Sequence, residues 1–246
     1  MKNIRWQIVI GLILISLSAL LYSLHYVIYK DAHHIFLYLL GDIAFLPIEV
    51  LLVTLIIHRF LQQREKDILM QKMNMVIGTF FSEVGNKLLE HFLGFNSHAL
   101  RGNRHMIVSA EWSDKDFDEA VKFISGHQSH VDIHKGNLNE LKDFLQDRRL
   151  FLLRLLENQN LLEHDSFTDL LWAVFHLSEE LDARQDLSQL TEKDGKHLEL
   201  DINRAYNHLL FEWLMYMKHM KKSYPYLFSL AVRTNIFRDD PSPEVK

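Results

Sequence analysis

Asp42 and Glu49 are acids in a costly place. Both lie within an apolar stretch of roughly residues 35–57. On insertion scales a charge at a bilayer centre costs about 2.5–3.5 kcal/mol, so such acids face protein, water or one another. A spacing of seven, nearly two helical turns, puts both on one side of a helix. The apolar stretch before them carries a matching stripe of Gly11, Ser18, Tyr22, His25 and Tyr29, also on one side. Two chemistries suit facing stripes of this kind. One is a hydrogen-bonded network that fixes the two helices together. The other is a proton or cation path through an oligomer. The expected members are Asp42, Glu49, Tyr22 and His25, with Tyr22 at the depth of Asp42.

Histidine supplies the other candidates. The chain has 15 His and no Cys. Disulfides, thiolate zinc sites and iron–sulfur clusters are therefore excluded, and any metal must be held by imidazole and carboxylate. His127, His130 and His134 have helical spacing, but Gly126 and Gly136 bracket them, so the segment reads as a loop of solvated histidines. His176 with Glu179, and His208 with Glu212, fall one turn apart on two predicted helices. If those helices are antiparallel neighbours, all four could meet on one transition metal. Ordinary polar pairing is the plainer reading, and no cofactor is expected. Lys218, Lys221 and Lys222 complement the C-terminal end of a long helix, with anionic lipid as the alternative partner. Trp213, Tyr216, Met217 and Met220 read as core.

No Gly-rich phosphate loop, GxSxG elbow or HExxH motif occurs, nor the Glu-x-x-His pairs of di-iron bundles. A net charge of −5 does not suggest a nucleic-acid partner. Nothing in the sequence identifies an enzyme.

The elements that must position these residues begin with a hairpin. Residues 6–29 contain no Asp, Glu, Lys or Arg. At ~1.5 Å per residue that run spans about 36 Å, more than a ~30 Å hydrocarbon core. A cleaved signal peptide is the rival, but its apolar region is only about 7–15 residues long. Residues 30–34 join this span to the second, 35–57, so the two are antiparallel neighbours. Lys2 and Arg5 before the first span, with Arg59, Arg64, Lys66 and Lys72 after the second, place both termini on the cytoplasmic side of the cell (inner) membrane.

No turn signal follows the second span, and the apolar period continues to Phe95. Residues 59–95 thus read as one long juxtamembrane helix. Gly78, Ser82 and Gly85 form a small-residue seam on it, suited to close helix packing. A break over 96–103 precedes a bundle of four or five helices in 104–238, with starts marked by Ser113/Asp116, Asn137/Glu140, Ser166/Asp169 and Thr191/Asp194. Residues 141–156 read as one helix, Met106-Ile107-Val108 as a lone strand-like run, and 239–246 as a frayed tail. The expected fold is all-α: a two-span transmembrane hairpin, a long juxtamembrane helix and a cytoplasmic bundle. The expected function is a membrane-anchored scaffold or signalling subunit, a homo-oligomer or part of a larger membrane complex. A cation conduit and a His/carboxylate metal activity are the alternatives.

Overall fold

The computed structural model describes residues 2–96, 100–126, 130–159, 161 and 164–244. The described residues are helical apart from turns and one isolated bridge, Asn96 with Val131. Met106 to Val108 form no strand. The chain divides into two compact units, Met1–Lys66 and Asp67–Lys246.

The first unit holds the two apolar helices expected as a hairpin; they meet near the turn but do not pack closely along their lengths. Helix α1 covers Lys2–Tyr29, and α2 begins at Ala32, three residues earlier than the pattern predicts. Two local devices make the turn this tight. Lys30 takes a left-handed backbone (φ 50°), with its N–H bonded to the Tyr26 carbonyl. The Asp31 carboxylate accepts from the His34 N–H at 3.1 Å and so caps α2. Pro47 sits inside α2 without ending it, although its ring removes the bond that the Ile43 carbonyl would accept. Hardly any side chain here is covered by protein: Ile15 is 68 % exposed and Leu40 70 %.

Helix α2 runs on to Phe80, a π-helical turn spans Phe81–Gly85, and α3 covers Asn86–Phe95. The wide turn has a packing cause. Successive α-helical residues point about 100° apart, so neighbouring phenylalanines cannot both face a core squarely. The extra residue, marked by the Asn86 N–H bonding the Phe81 carbonyl, relaxes this. Phe80 then meets Phe167 edge-on at 5.3 Å while Phe81 stacks on Tyr216 at 4.9 Å. The expected juxtamembrane helix is therefore not a segment of its own. From Met73 onward its inward face belongs to the bundle core.

The small-residue seam is likewise divided. Gly78 lies under the Tyr216 ring, where an added Cβ would stand 3.4 Å from the hydroxyl oxygen. A Cβ on Gly85 would meet Phe81 at 2.5 Å and Phe80 at 3.0 Å, rings of its own helix rather than a partner's. Ser82 is exposed beside a cavity. We expect Gly85→Ala to destabilise by about 1–3 kcal/mol through overpacking. Gly78→Ala should be neutral or stabilising, since Ala gains about 1 kcal/mol in helix propensity. Melting curves of the two variants in detergent check this; equal shifts would contradict it.

Around this strand of helix sit α4 (Asp114–Gly126), α5 (Leu138–Asp147), α6 (Arg149–Leu156), α7 (Asp165–Asp182), α8 (Glu192–Ser223) and α9 (Pro225–Arg233). Helix α8 is the hub, packing on α7, α4, α9 and α3. Its Thr191 cap accepts from the Asp194 N–H, and Lys221 and Lys222 close its last turn. Residues 141–156 form two helices because Arg148 leaves helical geometry. Helix α7 is capped by His164, whose Nδ1 accepts from the Phe167 N–H, rather than by Ser166. The C-terminal segment is tied down where a frayed tail was expected to begin. Phe237 is buried on Trp213 and accepts from the Gly102 N–H, and the Ser242 N–H bonds the Arg233 carbonyl.

Candidate functional site

The hairpin's polar residues part company. His25 joins an aromatic ladder near the turn, 4.8 Å from Tyr29 and 5.9 Å from His34, which in turn meets Tyr38 at 4.6 Å. Asp42, Glu49 and Tyr22 are exposed, and no hydrogen bond or ion pair joins them to His25 or to each other among the described residues. The expected contact of Asp42 with Tyr22 or His25 is thus not made within one chain.

The histidine groups are also redistributed. His127 lies outside the described residues; His130 and His134 are exposed, His134 in a turn, and neither is on a helix. The four residues expected to share a metal do not meet. Glu179 is held by Arg149 at 2.9 Å. His208 lines a shallow depression with Ile124, Ser125, Asn207 and Phe211. Glu212 is buried and takes a hydrogen bond from Ser166. Lys218 pairs with Asp118 at 2.9 Å, and Lys221 donates to the Ala110 and Trp112 carbonyls, so both lysines hold α8 to its neighbours.

The cause is the register of α7 against α8. The loop 183–191 returns the chain so that Arg184 meets Asp194, Glu180 faces His197, His176 faces Asp201 and Ser166 faces Glu212. Each step back along α7 is matched by a step forward along α8. His176 is therefore several turns away from His208 and Glu212, and beside a different pair.

That pairing assembles a cluster missed in the sequence. His176 and Glu180 are four apart on α7; His197 and Asp201 are four apart on α8. The ligand atoms of His176, His197 and Asp201 lie within 4.8 Å of one another. Both imidazole Nε2 atoms approach the same Asp201 oxygen, Oδ2, at 3.5 and 3.3 Å. Arg204 holds the other oxygen, Oδ1, at 2.9 Å. Glu180 stands at the edge, 3.8 Å from His176 and 3.5 Å from His197. The Arg184 guanidinium, bonded to Glu180 and Asp194, holds the Glu180 carboxyl below the usual range. Asp201 is buried, whereas both imidazoles are about half exposed.

Comparison with known proteins agrees with the two-unit division. Residues 2–61 match the N-terminal helical domain of MJ1433, and 69–233 match the C-terminal helical domain of the uncharacterised protein MJ1433. MJ1433 of Methanocaldococcus jannaschii is 46% identical over 237 residues, covering 96% of this chain and 95% of that protein. The chain belongs to the MJ1433 family. No solved structure matches it. The two MJ1433 domains flank the residues, Lys66 and Asp67, at which the compact units divide.

Glu212 is a second buried acid in the C-terminal MJ1433 domain. Burial pushes its carboxyl above the usual range, and only the Ser166 bond and nearby His164 oppose this. A raised folded-state value means the protonated carboxyl stabilises the fold fully below the unfolded value. That contribution is lost as pH rises through the folded one. We expect Glu212→Gln to melt progressively above the wild type as pH is raised from acid to alkaline. Parallel melting curves across pH would contradict it.

Proposed function

We propose that this MJ1433-family chain is a membrane-anchored, oligomeric helical scaffold or signalling subunit, with the hairpin in the cell membrane and the bundle on the cytoplasmic side. The observation that carries it is a contrast in burial. The bundle encloses its own core, from Met73 to Phe237, whereas the apolar windows of the two candidate spans have no buried residue. Contiguous exposed apolar surface on this scale needs lipid or protein to cover it. The Lys and Arg residues flanking the spans favour the cytoplasmic orientation.

Oligomerisation is supported by Asp42 and Glu49, which find no partner among the described residues of their own chain. A second copy or another subunit can supply one, relieving about 2.5–3.5 kcal/mol for each acid placed near the bilayer centre. Light scattering on the detergent-solubilised protein should give a multiple of the 29.1 kDa chain mass. Asp42→Ala with Glu49→Ala should shift the assembly toward monomer. A wild-type chain that is strictly monomeric in lipid nanodiscs as well would sink the oligomer.

The same two acids favour a second reading, a proton or cation conduit between hairpins. Flux into proteoliposomes decides it. Flux that falls in Asp42→Asn/Glu49→Gln supports a conduit; absent or unchanged flux leaves the acids a packing role.

A further inference from the structure

The α7/α8 cluster carries an inference independent of the membrane reading. We propose that His176, His197 and Asp201 form a binding site for one divalent transition-metal ion of the zinc class, with a fourth coordination position open to solvent beside Glu180.

The first argument is spacing. Zinc bonds nitrogen and oxygen at about 2.0–2.2 Å, so two ligands of a tetrahedral ion stand roughly 3.3–3.6 Å apart. The separations from Asp201 Oδ2 to the two imidazoles are 3.3 and 3.5 Å. Adjacent ligands in an octahedral magnesium site, with bonds of 2.0–2.1 Å, would stand only about 2.9 Å apart.

The second argument is an unmet need. Asp201 Oδ2 is buried and accepts no hydrogen bond, although a carboxylate side chain 1 % exposed requires compensation. Two imidazoles stand 3.3 and 3.5 Å from it without hydrogen-bond geometry, which leaves a place for a cation among the three. The third argument is support. Arg204 fixes the Asp201 carboxylate through Oδ1 without occupying Oδ2. Arg184 anchors Glu180 at the edge. Such outer partners orient first ligands and govern affinity. Each helix contributes two members four residues apart, so the pairing of α7 with α8 sets the geometry.

The donor set selects the ion. Two imidazoles and a carboxylate suit zinc, with iron, cobalt and nickel next, and with no thiolate there is little to favour copper(I). Three protein ligands with an open fourth position form the pattern of a reactive or exchangeable site rather than a closed structural one. Half-exposed histidines give the ion a route in. Water or an anionic group on a partner would complete the shell.

The test uses the full-length chain in detergent, purified without a histidine tag and stripped with chelator. Cobalt(II) titration should saturate at one equivalent, with the intense visible bands of a four-coordinate ion, and zinc should abolish them. His176→Gln/His197→Gln should retain its helical circular dichroism and lose this binding by about 100-fold or more. His208→Gln should bind like the wild type. Two outcomes would overturn the site: no stoichiometric binding at saturating zinc, or equal binding by the double variant, which would assign the metal to other histidines.

Discussion

Removal of residues 2–66 is expected to move the protein completely from the membrane pellet to the supernatant, still folded. The expectation follows from where apolar surface goes. In the hairpin, Trp6 is 69 % exposed, Ile15 68 %, Leu40 70 % and Phe60 76 %. Leaving a large aliphatic side chain in water rather than burying it costs about 1.5–3 kcal/mol. Dozens of such residues sum to tens of kcal/mol, far beyond the 5–15 kcal/mol that holds a typical domain together. The full chain must therefore hide the hairpin, and alkaline carbonate should not extract it from membranes. The bundle loses nothing comparable on truncation, because its buried residues begin at Met73. Carbonate release of the full chain would contradict this account. So would a truncated chain that stays with the membrane despite a cooperative melt.

The second large effect is in the bundle. Phe167→Ala should cost about 3–5 kcal/mol, the range for large aromatic cavities. Phe167 is fully buried in the first turns of α7 and meets Phe80 edge-on at 5.3 Å. It therefore joins α7 to the end of α2 within the bundle. Losing the ring removes both its area and an aromatic pair worth about 0.5–1.5 kcal/mol. Trp172→Ala, at a larger but 56 % exposed side chain on the same helix, should cost much less. Denaturant midpoints in detergent compare the two, and similar losses would show that the assigned core is wrong.

Most of the architecture was legible because it rests on local chemistry. The apolar helix from Trp6 to Tyr29 ends where charge returns. Thr191 and Asn137 announce α8 and α5 because their side-chain oxygens satisfy the first free N–H groups. The misreadings share a different origin. Arg148 splits a continuous apolar period, and the π turn at Phe81–Gly85 re-aims two rings; both answer to tertiary packing rather than propensity. His164 as a cap escaped notice because a ring nitrogen rarely plays that part.

The metal cluster was half legible. The sequence pattern points to His176, but beside Glu179 and the far end of α8, whereas the structure sets it beside Glu180 and Asp201. A short loop fixes the antiparallel register of α7 and α8. Pairing outward from the loop 183–191 sets His197 and Asp201 against Glu180 and His176. The burial of Asp201, which makes the site more than a surface ion pair, depends on side-chain packing that no spacing rule reveals.

The central claim, a hairpin in the membrane with the bundle on the cytoplasmic side, is tested most directly by cysteine labelling. The chain has no Cys, so single cysteines report without background. Cysteine would replace His33 at the turn, Leu14 and Leu52 within the spans, and Lys222 at the end of α8. Intact cells are treated with a membrane-impermeant maleimide. His33→Cys should label from outside, and Lys222→Cys only after the cells are opened. Leu14→Cys and Leu52→Cys should resist labelling until the bilayer is dissolved. Labelling of the two span positions in opened cells as readily as Lys222→Cys, with the protein in the soluble fraction, would contradict the account.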